Sequence, residues 1–314
     1  MSVPGAGVPR RMVAWGCQCG SMSSTSRAAA DVLGEGGTYW DPLWRLGVVL
    51  TPLERDLLRC WPVRRLAFIA YAGASSIVTT QAFSRLEHSL GVLALAAHFA
   101  PEDGLARAAA LLHDTGHLPL SHTFEGVAGL DHHALGARRV RELADVLASH
   151  GMDAEDVLAV ETGRRPSVMS GEPGVLKLDH LDGLVRSGRA HGRTCQAPPA
   201  TLARLQVTRG CVSTDATTAG YLAELVAAAA RWHCSDVNVV ATGVVRYLAS
   251  VLLQQASPAR VGRGGVHHDH WDSARPRLLR AQPLPEGGGV GRAARGDDQP
   301  RPAAPLRVAA AGRR

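Results

Sequence analysis

The 314-residue chain has little of several things that usually mark a protein's class. Lysine is almost missing: Lys177 is the only one, and arginine carries the rest of the positive charge. Isoleucine occurs only at Ile69 and Ile77, and both skews read as GC-rich coding rather than as function. No run approaches the roughly 18 uninterrupted apolar residues of a membrane helix, which argues against a bilayer-spanning segment. The first 21 residues carry paired arginines but no apolar stretch long enough for a secretory signal. The expectation is a soluble, cytoplasmic protein with no membrane partner. The six cysteines (Cys17, Cys19, Cys60, Cys195, Cys211 and Cys234) form no CxxC pair. A zinc ribbon is unsupported, and free thiols are expected in place of disulfides. No repeat of about 20–50 residues is visible.

What is present supports a folded domain. With 46% hydrophobic and 20% charged residues the chain can bury a sizeable core, which excludes wholesale disorder and fibrous classes. The formal charge of +6 points toward nucleic acid only until it is located. Residues 257–314 hold 11 arginines against 5 acidic residues, leaving 23 basic and 23 acidic residues in the other 256. The body is neutral, so specific nucleic-acid binding is not supported.

Three stretches differ in composition. Residues 1–37 are rich in Gly, Ser and Ala without a sustained period and read as a flexible leader. Residues 38–256 form the body, with helical three- and four-residue spacing over 51–60, 84–99, 104–113, 133–149, 175–190 and 219–256. Residues 77–80 are the one candidate strand, so the body is expected to be mainly α. The last 58 residues contain 16 Gly and Pro and predict disorder, although the abrupt change near Ser257 is also what an altered reading frame produces. The run His267-His268-Asp269-His270 lies in that stretch without a rigid scaffold and reads as solvated.

The chemistry concentrates elsewhere. Six histidines fall between residues 83 and 132, one of them in the dipeptide His113-Asp114, beside apolar helix faces. Buried polar groups there need partners, and a divalent first-row ion suits mixed imidazole and carboxylate ligation. His113 and Asp114 would reach the ion from one helix end and His88 from the preceding helix, with a distant carboxylate completing the set. Arg85 stands one turn before His88. Together with His117, His122 and Arg186 it could neutralise phosphoryl oxygens. Arg186 suits a structural ion pair equally well. Asp182, three residues after Asp179, either competes as a ligand or orients a neighbour.

The same residues carry a resemblance. Arg85-Leu86-Glu87-His88-Ser89-Leu90-Gly91-Val92, Leu112-His113-Asp114-Thr115-Gly116-His117, Pro119-Leu120-Ser121-His122 and Asp179-His180-Leu181-Asp182 follow Asp41-Pro42 and Arg64-Arg65-Leu66 in order. This set resembles the HD-domain metal-dependent phosphohydrolases, in particular the deoxynucleoside triphosphate triphosphohydrolase branch, over about residues 39–195 and faintly over 219–256. The resemblance implies an all-α HD-domain helical bundle around a metal site. His88, His113, Asp114 and Asp179 match its ligands for a divalent ion (Mn, Fe, Mg or similar). Arg85 matches a contact on the α-phosphate side, and His117 and His122 match residues lining the phosphates. His132 matches a proton donor to the leaving 5′-oxygen, oriented by Glu125, with neighbouring His133 as the alternative. The implied reaction is water attack on the α-phosphorus of a nucleotide, releasing nucleoside and triphosphate, by a homo-oligomer. Two departures concern the sugar. Tyr71-Ala72-Gly73 stands where the branch has Gln-Leu-Gly, and Gly183 and Arg186-Ser187 stand where it has Tyr and Arg-Asp. They leave two other readings open: the same centre acting on another phosphoester (a nucleoside monophosphate or an alarmone), or a non-catalytic nucleotide-binding regulatory protein.

Overall fold

A computed structural model describes residues 37–78, 83–171, 174–255 and 309–310. The expected leader and nearly all of the expected tail, with its histidine run, lie outside the described residues. The chain enters through a hairpin of β1 (Thr38–Asp41) and β2 (Leu46–Val49), antiparallel with Thr38 opposite Val49. Helix α1 (Pro52–Arg59) follows, with Thr51 and Glu54 forming a reciprocal cap and Pro52 at the first turn. The short α2 (Trp61–Arg64) leads into tight 3₁₀ turns at Arg65–Phe68 and Gly73–Ile77. Ile77 therefore ends a 3₁₀ turn and does not begin the expected strand. The reason is local: the Ser75 and Ser76 hydroxyls donate back to the Ala72 and Gly73 carbonyls at 2.7 and 2.6 Å, which winds the backbone.

Helix α3 (Arg85–Phe99) is the axis of the bundle. Ser84 and Glu87 cap it reciprocally, which fixes where the helix begins and hence which way Arg85 and His88 face. Eleven of its 15 residues are buried, as expected of a helix covered on all sides. Leu93 and Leu95, about 200° apart around the helix, enter two different apolar clusters. One is built with α4 (Gly104–Leu112), α5 (His132–Glu142), α6 (Ala144–Ser149) and α7 (Ala154–Glu161). The other joins Trp44 to α8 (Leu178–Ala190), α9 (Pro198–Leu202), the hairpin of β3 (Gln206–Thr208) and β4 (Cys211–Thr214), and α10 (Ala216–His233). Each fully buried leucine contributes about 1.5–3 kcal/mol by leaving water. Buried Arg107 donates to both Glu54 oxygens, at 2.7 and 2.9 Å, and ties α4 to α1.

Two expected helices are each broken in two. Residues 133–149 divide at Leu143, and 219–256 divide between α10 and α11 (Asp236–Gln255), where the Asn238 amide donates to the His233 carbonyl at 2.8 Å. Ala309–Ala310, the only described part of the expected disordered tail, pairs parallel with β4. Among the described residues α11 is the one helix long and apolar enough to cross a membrane, over Asp236–Leu253. Asn238, Thr242 and Arg246 interrupt its apolar run, so it is not an unbroken apolar stretch. The Arg246 guanidinium donates to the Thr123 and Glu125 carbonyls at 3.0 and 2.8 Å, fastening α11 to the loop that carries His122.

Candidate metal centre

Three helices and one loop deliver the ligand candidates. His88 lies one turn into α3, His113 caps the C-terminal end of α4, Asp114 begins the loop beyond it, and Asp179 sits in the first turn of α8. A carboxylate there is favoured by the helix dipole. The Nε2 atoms of His88 and His113 are 3.3 Å apart, and Asp179 Oδ1 is 3.0 Å from the first and 3.6 Å from the second. Asp114 places Oδ1 at 3.5 Å from His113 and Oδ2 at 3.9 Å from His88. Ligands about 2.1 Å from a common ion lie roughly 3.0–3.4 Å apart, close to this spacing.

The proton pattern supports the same conclusion. His113 Nδ1 faces the Ala110 carbonyl at 2.8 Å, and a carbonyl only accepts, so the proton is on Nδ1 and Nε2 presents a lone pair. His88 Nδ1 faces the Asp182 carboxylate at 2.8 Å with the same consequence. Two lone pairs and a carboxylate oxygen thus converge, an arrangement that a metal ion or added protons would neutralise. Without an ion, protons serve. Burial opposes charging, yet Asp114 and Asp179 push His113 up to about 10, and hydrogen bonds to Asp179 and Asp182 raise His88. Although buried, Asp114 is held well below the usual carboxylate range by Arg85 and His113, and Asp179 by His113 and His88. A bound divalent ion displaces such protons. His88, His113 and Asp179, with Asp114 beside them, could therefore hold one.

Behind the ligands runs a buried relay. Asp182 accepts from His88, from Trp44 Nε1 at 2.7 Å and from Arg186, which also reaches Asp41 at 2.9 Å. Arg186, expected at the phosphates, is therefore held between two carboxylates behind Asp182 and does not line the cavity. Its ion-pair reading is the one the packing realises.

A cavity of about 320 Å³ is bordered by Tyr71, Arg85, Ser121, His122, Trp232 and Asn238 among others; none of the four ligand candidates lines it, and Arg85 and Tyr71 stand between it and them. Arg85 donates to Asp114 Oδ2 at 2.9 Å and twice to the Ser121 hydroxyl. Leu120 and Ser121 both adopt left-handed backbone (φ 65° and 55°), local strain that sets the hydroxyl under the guanidinium. His117, 1% exposed, does not border the cavity; its Nε2 meets Asp114 Oδ1 at 3.0 Å, and its buried Nδ1 has no partner. Burial pushes His117 down to about 4 and His122 to about 3, so both rings are neutral at pH 7. His132 Nδ1 meets Glu125 Oε2 at 2.8 Å, and its ring stacks on His117 with centroids 4.5 Å apart. His133 is exposed.

Residues 85–184, which span every ligand candidate, match the family model described as HD domain. This segment is an HD domain. The chain is also similar to two uncharacterized proteins. MJ1154 of Methanocaldococcus jannaschii is 33% identical over 101 residues, 31% of this chain and 22% of that protein. YwfO of Bacillus subtilis is 32% identical over 174 residues, 49% of this chain and 40% of that one. The chain thus spans less than half the length of either relative. Among solved structures it is similar to a phosphohydrolase of Bacteroides thetaiotaomicron, with a TM-score of 0.49 and 22% identity over 62% of this chain and 53% of that one.

Within the HD domain and its approach, the sequence motifs marked positions but not partnerships. Trp44 and Asp41 bear on the ligands only through Asp182 and Arg186, and no spacing rule pairs residues so far apart. Arg65 donates to the Thr115 and His117 carbonyls at 3.1 and 2.7 Å and so holds the loop after His113-Asp114. No sequence motif marks Glu161. Its Oε1 is buried without a partner, and burial pushes the carboxyl up to about 7, with Asp114 adding to the rise and His113 opposing it.

Proposed function

We propose that the HD domain is the centre of a metal-dependent phosphohydrolase that cleaves (deoxy)nucleoside triphosphates to nucleoside and triphosphate. The convergence of the His88 and His113 lone pairs on the Asp179 carboxylate, with Asp114 alongside, carries this reading. When bound, a divalent ion supplies the Lewis acidity that makes water a nucleophile near neutral pH. The chain's own residues do the rest. Asp182 and the Ala110 carbonyl fix both imidazole tautomers. Arg85, held by Asp114 and Ser121, brings positive charge to the cavity side of the ligands, where phosphoryl oxygens would collect. His117 orients Asp114, and neutral His122 offers one N–H to a phosphate oxygen. Glu125 keeps the proton of His132 on Nδ1, so that when Nε2 also carries one it is positioned to protonate the leaving 5′-oxygen. A homo-oligomer is part of the proposal.

A second reading, the same centre acting on a nucleoside monophosphate or an alarmone, is favoured by Tyr71 and Gly183 at the sugar-side positions. A panel of nucleotides with metal analysis and mass-spectrometric product identification separates the two. Triphosphate release supports the first reading; orthophosphate from a monophosphate, or pyrophosphate from an alarmone, supports the second. Hydrolysis that persists undiminished in His113→Ala defeats both.

A further inference from the structure

Helix α11 is covered on one side only. Arg246, its one charged residue after Asp236, reaches inward to the Thr123 and Glu125 carbonyls, and Asn238 and Thr242 border the cavity. On the far side, Val237, Val240, Val244, Tyr247, Leu248 and Leu252 form a stripe, each of them 47–68% exposed. The spacing is that of a helix-pairing seam. Val237, Val244 and Val251 recur every seventh residue, and Val240 and Tyr247 fall between them at the same interval. No charge interrupts the stripe, and no residue from Asp236 to Leu253 is buried. Ile77 and Val78, at the end of the 3₁₀ turn on which α11 packs, are exposed as well. Together these side chains expose about 800 Å² of mostly apolar surface, more than the roughly 300–600 Å² of the largest patch on a typical monomer.

We propose that this face docks a second copy of the chain, α11 against α11 about a two-fold axis. The area fits, because two copies paired over it would bury up to about 1,600 Å², the size of a standard stable interface. The composition fits too. A stripe without charge meets its own copy without setting like charges together, and β-branched residues at every seventh position suit a two-helix seam. A lipid surface fits less well: helices that lie on membranes carry Lys and Arg toward the headgroups, whereas Arg246 is held by two carbonyls of the body. Docking also bears on the cavity. Arg246 fastens α11 to the loop that carries His122, so a copy packed on the outer face holds that loop in place. The proposal takes up the homo-oligomer of the preceding reading and supplies its surface. Association is read without substrate, so it can fail while the phosphohydrolase reading stands, and hydrolysis can fail while the dimer stands.

The full chain is followed by sedimentation and light scattering from about 1 to 100 μM, a range that brackets micromolar affinity. Wild type is expected to be a dimer that dissociates on dilution. Val244→Glu and Tyr247→Glu would each bury an unpaired carboxylate in the seam, and each is expected to raise the dissociation constant at least about a hundredfold with the helical circular-dichroism spectrum unchanged. Hydrogen exchange on wild type alone serves should a variant not fold. Between the lowest and highest concentrations, peptides from α11 and from residues 121–125 slow together. A wild type that is monomeric throughout overturns the proposal, whether α11 is then protected by residues 256–308 of the same chain or pellets with phosphatidylcholine vesicles. So does a dimer indifferent to both substitutions. Slowing confined to α11 overturns the link to the His122 loop.

Discussion

His88 Nδ1 donates to Asp182 Oδ2 at 2.8 Å, while Nε2 of the same ring faces Asp179 Oδ1 at 3.0 Å. One carboxylate sets the tautomer and the other shares the site. Asp182 can do this because Trp44 and Arg186 hold both its oxygens and nothing solvates it. Asp182→Asn keeps the shape but can leave the His88 proton on the wrong nitrogen. Divalent-ion affinity measured by calorimetry is expected to fall about 10–100-fold with the helical circular-dichroism spectrum unchanged. An affinity within twofold of wild type refutes the orienting role.

His132 and Glu125 make a second testable pair. If His132 gives the proton to the leaving oxygen, His132→Gln lowers kcat by about 10²–10⁴ on a nucleotide. The loss shrinks on a 4-nitrophenyl phosphoester, whose leaving group needs no proton. Glu125→Gln follows with a smaller drop. Steady-state kinetics on both substrates decide the matter, and an equal loss on each counts against proton donation.

Gly91 of α3 tests the relay from its other side. A Cβ there would overlap Arg186 Nη2 and Asp182 Oδ1, so α3 and α8 approach this closely only because position 91 has no side chain. Gly91→Ala is expected to destabilise by about 1–3 kcal/mol despite the better helix propensity of alanine, and to weaken ion binding with it. Denaturant melts read the first and metal titration the second. A variant as stable as wild type contradicts the packing.

Glu161 predicts a pH dependence. Its folded pKa, about 7, lies above the ordinary 4.5, so the folded state holds a proton that the unfolded chain releases between those values. The stability this contributes is complete below pH 4.5 and is lost as pH rises through 7. Glu161→Gln removes the titration. Metal-free wild type should lose more melting temperature between pH 5 and pH 8 than the variant does, and parallel curves for the two proteins would rule the effect out.

Much of the site could be read from order and spacing. The Ser84–Glu87 cap fixes the start of α3, so Arg85 and His88 share a face, and His113-Asp114 marks the end of a helix whose alanine-rich text is unmistakable. Less could be read at the turns. Ser75 and Ser76 redirect a stretch whose β-branched residues suggest a strand, and the break before α11 depends on side-chain bonds from Asn238 that periodicity does not register.

The amino-acid order settled most of the helices, their phases and which histidines and carboxylates are candidates to hold an ion, because these depend on neighbours three or four residues away along one helix. Which carboxylate would stand behind His88, that Arg186 would be bound to Asp41 across 145 positions and so be kept from the cavity, and that Tyr71 would fill the room left by Gly183 were decided only when α3, α8 and the loop between β1 and β2 packed together. Such partnerships depend on interhelical distance and on buried charge finding its nearest neutralising group, neither of which is written in local spacing.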